Sequence, residues 1–130
     1  MSKIDVAIIG ASGYTGGELV RLLTRHPRVN ISTVTSRKNN GEDLSSLHPN
    51  LQDLDLKFTN PDTKDIDADV VFSALPHGVS MKLVPEYLDN GARVIDLSGD
   101  FRFSDVSVYE KWYGMKHEHP DLKAVFGLPE

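Results

Sequence analysis

Gly10-Ala11-Ser12-Gly13-Tyr14-Thr15-Gly16 places three glycines at intervals of three directly after a short β-branched run. Without Cβ atoms such a segment can turn tightly and admit an anion close to its backbone. A helix opening behind it would aim N–H groups at that anion. The chemistry is that of a phosphate cradle, with Gly10, Ser12, Gly13, Tyr14, Thr15 and Gly16 as candidate contacts. The spacing departs from G-x-G-x-x-G, and glycine-rich turns also form for purely conformational reasons. Placement between a strand and a helix favours the pyrophosphate of a dinucleotide.

Which dinucleotide depends on the end of the next strand, roughly 20 residues beyond the glycine loop, where NAD enzymes place an acidic residue on the ribose 2′-hydroxyl. Here the chain reads Thr35-Ser36-Arg37-Lys38. A hydroxyl followed by two cations suits a 2′-phosphate, so Ser36, Arg37 and Lys38 point to NADP(H) as cofactor; the alternative is a solvated basic turn. Farther on, Leu75-Pro76-His77-Gly78 follows an apolar run and should border the same cleft. Leu75, Pro76 and His77 are candidate cofactor contacts, although a loop histidine is often only a surface residue. His77 is not assigned as a proton carrier.

Asp96-Leu97-Ser98-Gly99-Asp100-Phe101-Arg102 concentrates two carboxylates, a hydroxyl and a guanidinium within seven residues. Arg102 could grip a phosphate or carboxylate through two parallel N–H bonds, and Ser98 and Asp100 stand beside it as substrate-binding candidates. The other reading is that Asp100 and Arg102 pair with each other or with a helix terminus. His117-Glu118-His119 has a metal-like spacing but lacks a nearby third ligand, so no metal is expected. Tyr109, Trp112 and Tyr113 fall at helical spacings and read as packing. No tyrosine is followed four residues later by lysine, so the Tyr-x-x-x-Lys pair of short-chain dehydrogenases is absent.

The elements that must position these residues are strands alternating with helices. Residues 4–9 read as a buried strand and 15–25 as an amphipathic helix ending before His26-Pro27. Residues 30–35 form a second strand. The polar stretch 36–55 is loop with one short helix around 44–47, and 56–59 is a short strand. Residues 69–75 make a strand stopped by Pro76, 79–90 a helix closed by Gly91, and 93–97 another strand. A helix over about 104–113 and a last short strand over 124–128 complete the chain. This alternation predicts an α/β fold of Rossmann type, with right-handed crossovers, a doubly wound and mainly parallel sheet, and helices on both faces. In such sheets ligands bind beyond the carboxyl ends of the strands, where all four loops described above fall.

The length of 130 residues suits one domain, taken as 1–130, and the formal net charge of -5 disfavours nucleic acid or anionic lipid as a partner. A small-molecule partner is the better expectation. The N-terminal apolar run is too short for a signal peptide and no stretch could span a bilayer, so a soluble, cytoplasmic protein is expected. The sequence contains no cysteine, which removes a thiol nucleophile, a disulfide framework and a thiolate metal site.

In order along the chain, residues 10–19 (GASGYTGGEL), 35–37 (TSR), 74–78 (ALPHG), 96–102 (DLSGDFR), 109–114 (YEKWYG) and 126–130 (FGLPE) together resemble N-acetyl-gamma-glutamyl-phosphate reductases. The resemblance implies an NADPH-dependent reduction of N-acetyl-gamma-glutamyl phosphate to the semialdehyde, with release of phosphate, in arginine biosynthesis. It implies a cysteine that forms a thioester and a histidine that assists proton movement, both beyond Glu130, so that the 130 residues alone are inert. It also implies a homo-oligomer, dimer or tetramer, for the full-length enzyme. Two alternatives stay open. One is a reductase of a related acyl phosphate, aspartyl or carrier-linked aminoadipyl or glutamyl. The other is an NADP-sensing regulator that binds without turnover, which would account for the missing cysteine.

Overall fold

The structure, a computed structural model, describes residues 2–128. Five parallel strands, β1 (Ile4–Ile9), β2 (Val29–Thr35), β3 (Phe58–Thr59), β4 (Val70–Ser73) and β5 (Arg93–Asp96), form one sheet in the order β3-β2-β1-β4-β5. Three helices connect or flank them: α1 (Tyr14–Leu23), α2 (Ser80–Asp89) and α3 (Val106–Tyr113). The expected Rossmann-type doubly wound architecture is therefore the one observed.

β1 lies at the centre because its residues are apolar on both faces. Val6 and Ile8 pack with Val20 of α1 and with Val34, Leu44, Leu51 and Phe58. Ala7 and Ile9 face the other way, into a cluster with Ile66, Val71, Ala92 and Tyr87 of α2. Strand alternation thus sends one helix to each face. Burial, and then the charge of neighbouring Glu86, pushes the Tyr87 hydroxyl up to about 12. A third cluster joins Met81 and Val84 of α2 to Phe101 and to Tyr109 of α3.

The long polar segment after β2 is held by apolar anchors. Leu44 and Leu51 sit on separate 3-10 turns, Leu44–Ser46 and Pro49–Leu51, and both are buried against the α1 face. Only the first turn is foreshadowed by local pattern, as is the C-terminal stop of α2 at Gly91, whose φ is +89°. The start of α3 is set by Asp105, whose carboxylate accepts the Ser107 amide at 2.9 Å. One element departs from expectation: residues 124–128 form no strand. Val125, Phe126 and Leu128 are exposed, and among the described residues β5 pairs with β4 alone. An apolar run becomes a strand only where an edge takes up its backbone groups. Pro129 and Glu130, which close the FGLPE segment, lie outside the described residues.

Candidate functional site

The glycine loop is fixed on its protein side and open on the other. Gly10 has a φ of +80°, and a Cβ there would lie 2.8 Å from the Ala74 carbonyl oxygen, so only glycine fits between β1 and β4. The Gly10 amide donates to Thr35 Oγ1 at 3.2 Å and the Ala11 amide to the Thr35 carbonyl at 2.8 Å, which ties the loop to the end of β2. A Cβ on Gly16 would fall 2.5 Å from Ala11 Cα, so α1 begins hard against the loop.

Gly13 differs. It is the N-cap of α1 in an extended conformation, and its Cβ direction meets nothing within 4 Å. No side chain caps the helix and its first turn carries no acidic residue, so the free N–H groups and the positive end of the helix dipole face open space. Ser12 is half-buried, while Tyr14 and Thr15 are exposed around this opening. An anionic pyrophosphate fits such a cradle. His48, from the loop after β2, supports it from behind: Nε2 lies 3.0 Å from the Ala11 carbonyl oxygen, and the ring fills the space a Cβ on Gly17 would need. Sequence spacing gave no sign of His48, because 37 residues separate it from Ala11.

Beside the loop opens a cavity of about 820 Å³, a size suited to a small molecule. Gly10, Thr35, Ser36 and Arg37 line one side, with Lys64 and Lys82 farther round. Arg37 is exposed and makes no ion pair among the described residues, so its guanidinium is available to a phosphate. Ser36 is not equally available: its hydroxyl lies 3.3 Å from Asn39 Oδ1 and accepts the Asn39 amide at 3.1 Å, shaping the turn that presents Arg37. Lys38 is exposed and does not line the cavity. Lys64 and Lys82, which do, were not anticipated. The far end of the cavity is braced by Thr63, which donates its hydroxyl to Glu86 and accepts the Asn90 side-chain amide on its carbonyl at 2.8 Å.

The loops after β4 and β5 are interlocked. Asp100 is buried, 2% exposed, and its carboxylate accepts the Gly78 amide at 2.9 and 3.0 Å, the Met81 amide at 2.8 Å and the Tyr109 hydroxyl at 2.6 Å. Its oxygens are spent on the start of α2 and on α3, which is the helix-terminus alternative and not a pair with Arg102. Burial and then the Asp100 bond hold the Tyr109 hydroxyl well above the usual tyrosine range. Ser98 is likewise buried, donating its hydroxyl to Asp96 at 2.9 Å and accepting the Asp100 amide at 3.1 Å. Of the three residues, Arg102 alone is exposed, and among the described residues its side chain is held by a 3.2 Å bond to the Leu97 carbonyl.

His77 is exposed, accepts the Gly99 amide on Nδ1 at 2.9 Å and packs on Tyr113, with ring centroids 4.5 Å apart. Leu75 lines the cavity and Pro76 is exposed at the turn. His117 is buried with both ring nitrogens engaged: Nδ1 accepts the His119 amide, which leaves Nε2 to donate to the Asp100 carbonyl at 2.6 Å. No group of three metal-ligating side chains occurs among the described residues. Nor is any helix among them long and apolar enough to cross a membrane.

Residues 5–130 match the model of the semialdehyde dehydrogenase NAD-binding domain family. An N-acetyl-gamma-glutamyl-phosphate reductase from Methanobrevibacter smithii is 53% identical over 126 residues, covering 97% of this chain and 37% of the relative. A LysW-linked L-2-aminoadipate and L-glutamate phosphate reductase from Saccharolobus solfataricus is 51% identical, covering 98% and 38%. The chain thus spans less than two fifths of the length of these relatives. Among solved structures, an aspartate semialdehyde dehydrogenase with NADP from Candida albicans superposes with a TM-score of 0.63 at 23% identity, over 78% of this chain and 31% of the other. At that identity the likeness speaks for the fold.

Proposed function

Because the chain belongs to the semialdehyde dehydrogenase NAD-binding domain family, we propose that it forms the NADP(H)-binding domain, residues 1–130, of an N-acetyl-gamma-glutamyl-phosphate reductase. The observation that carries the cofactor half is the open side of the glycine loop at Gly13, together with a cavity that Gly10 of the same loop and Arg37 both line. Backbone N–H groups at the start of α1 hold the pyrophosphate. Arg37 meets the 2′-phosphate, Lys64 and Lys82 line the same cavity, and Ser36 sets the turn. When bound, the dinucleotide supplies a hydride.

The substrate half of the proposal leans on the relative from Methanobrevibacter smithii and on Arg102, the exposed cation of the loop after β5. In this reading Arg102 grips the phosphate or carboxylate of the acyl phosphate, while Asp96, Ser98 and Asp100 hold the loop's shape. The 130 residues contain no cysteine, so thioester formation is left to residues outside them. The complete protein is a soluble cytoplasmic homo-oligomer acting on a small molecule. A second reading, reduction of a carrier-linked aminoadipyl or glutamyl phosphate, is favoured by the Saccharolobus solfataricus relative.

The test is the reverse reaction with the complete enzyme: semialdehyde, phosphate and NADP yield acyl phosphate, NADPH and a proton. N-acetylglutamate semialdehyde should be oxidised readily, and Arg102→Leu should weaken semialdehyde use while NADPH affinity survives. Preference for a carrier-linked semialdehyde would select the second reading. The 130-residue chain alone should give no turnover.

A further inference from the structure

His77 stands where the loops after β4 and β5 meet, and its environment fixes more than its position. The Gly99 backbone amide can only donate, so His77 Nδ1, 2.9 Å away, must carry a lone pair. A neutral imidazole has one hydrogen, and it is therefore on Nε2. The Tyr113 ring against the imidazole sets the plane. The turn that carries His77 is anchored in its own right, because Asp100 accepts the amides of Gly78 and Met81. Both the place and the tautomer of the ring are thus imposed by the loop after β5. The imidazole itself is exposed, and Nε2–H has no protein partner among the described residues.

The strand order gives that hydrogen a direction. β2 and β4 flank β1 on opposite sides. A dinucleotide whose adenosine lies beyond β2 and whose pyrophosphate crosses the loop after β1 extends its other end past β4. We propose that His77 binds the nicotinamide end of the cofactor, donating Nε2–H to the carboxamide oxygen, and that Asp100 is the positioning residue that holds it there. This inference rests on the dinucleotide reading above. A fixed N–H donor would also suit an oxygen of the acyl phosphate substrate, and the experiment separates the two.

His77→Asn keeps an oxygen acceptor near the Nδ1 position for Gly99 and deletes the Nε2–H. Calorimetry on the 130-residue chain would compare NADPH with 2′,5′-ADP, which has the adenosine 2′-phosphate half and no nicotinamide. The expected result is a loss of about three- to tenfold in NADPH affinity, the scale of one neutral hydrogen bond, with 2′,5′-ADP bound as tightly as before. Imidazole 15N–1H spectra of the unmutated chain should show the hydrogen on Nε2, with a resonance that moves on adding NADPH and stays put with 2′,5′-ADP. Unchanged NADPH affinity in His77→Asn, equal losses for both ligands, or a hydrogen on Nδ1 would overturn the assignment. So would a raised KM for the acyl phosphate in the complete enzyme at unchanged NADPH affinity, which would move the donor to the substrate. Failure of the unmutated chain to bind 2′,5′-ADP would sink the dinucleotide reading itself, and this inference with it.

Discussion

Replacing Gly13 with valine should abolish dinucleotide binding while leaving the fold in place, and the structure supplies both halves of that expectation. The backbone at Gly13 is extended, with φ -79° and ψ 176°, so an L-residue is accommodated without strain. A Cβ there meets no protein atom within 4 Å. Losing a favourable N-cap costs about 1 kcal/mol, and restricting the unfolded chain returns roughly 0.4–1 kcal/mol, so stability should change little. For the ligand the same open space is the approach to the helix N–H groups. Displacing a pyrophosphate from two charge-assisted bonds, each worth about 1.5–3 kcal/mol, weakens binding by roughly 3–6 kcal/mol, or on the order of 10²- to 10⁴-fold. Gly16→Ala is the contrasting case, since its Cβ would collide with the Ala11 backbone and the fold should suffer. Thermal melts by circular dichroism and calorimetric titration with NADPH read the two effects separately. If Gly13→Val melts like the unmutated chain and still binds NADPH within threefold, the cradle has been put in the wrong place.

Other outcomes follow from the same geometry. His48→Ala should lower stability by about 1–3 kcal/mol in urea unfolding, because it leaves the buried Ala11 carbonyl without its partner, and should weaken NADPH binding by loosening the loop. Tyr109→Phe removes one of the donors to buried Asp100 and should cost a similar amount, roughly 1–3 kcal/mol, with NADPH affinity reduced less than stability. Tyr87 should make the chain sensitive to alkali. Its folded value, about 12, exceeds the unfolded value near 10, so its contribution is fully present below pH 10 and is lost as pH rises toward 12. Urea midpoints measured across that window should fall, and Tyr87→Phe should flatten the part of the fall that this hydroxyl causes.

The fold was legible because its signals are local. The β-branched run over β1, the change of period into α1, and the glycine after α2 each declare themselves within a few residues. The failed strand at 124–128 shows the limit of that logic, since hydrophobic content is local and a pairing edge is not. Site residues were legible by type and less so by direction. Arg37 is exposed just past β2 and Gly13 caps the start of α1, but Asp100 sits near Arg102 in sequence and turns instead to amides 19 and 22 residues away. Ser36 turns inward for a similar reason, to Asn39. His48, Lys64 and Lys82 belong to segments with no motif, and only the folded chain brings them to the cofactor loop and its cavity.

The central claim is a dinucleotide site that prefers a 2′-phosphate through Arg37, and parallel calorimetric titrations of the 130-residue chain with NADPH and NADH test it most directly. NADPH should bind more tightly, and Arg37→Ala should erase most of the difference, roughly 1–3 kcal/mol for a charge-assisted contact at an exposed guanidinium. Equal affinities for the two dinucleotides in the unmutated chain would contradict the cofactor assignment, and binding of neither would contradict the site.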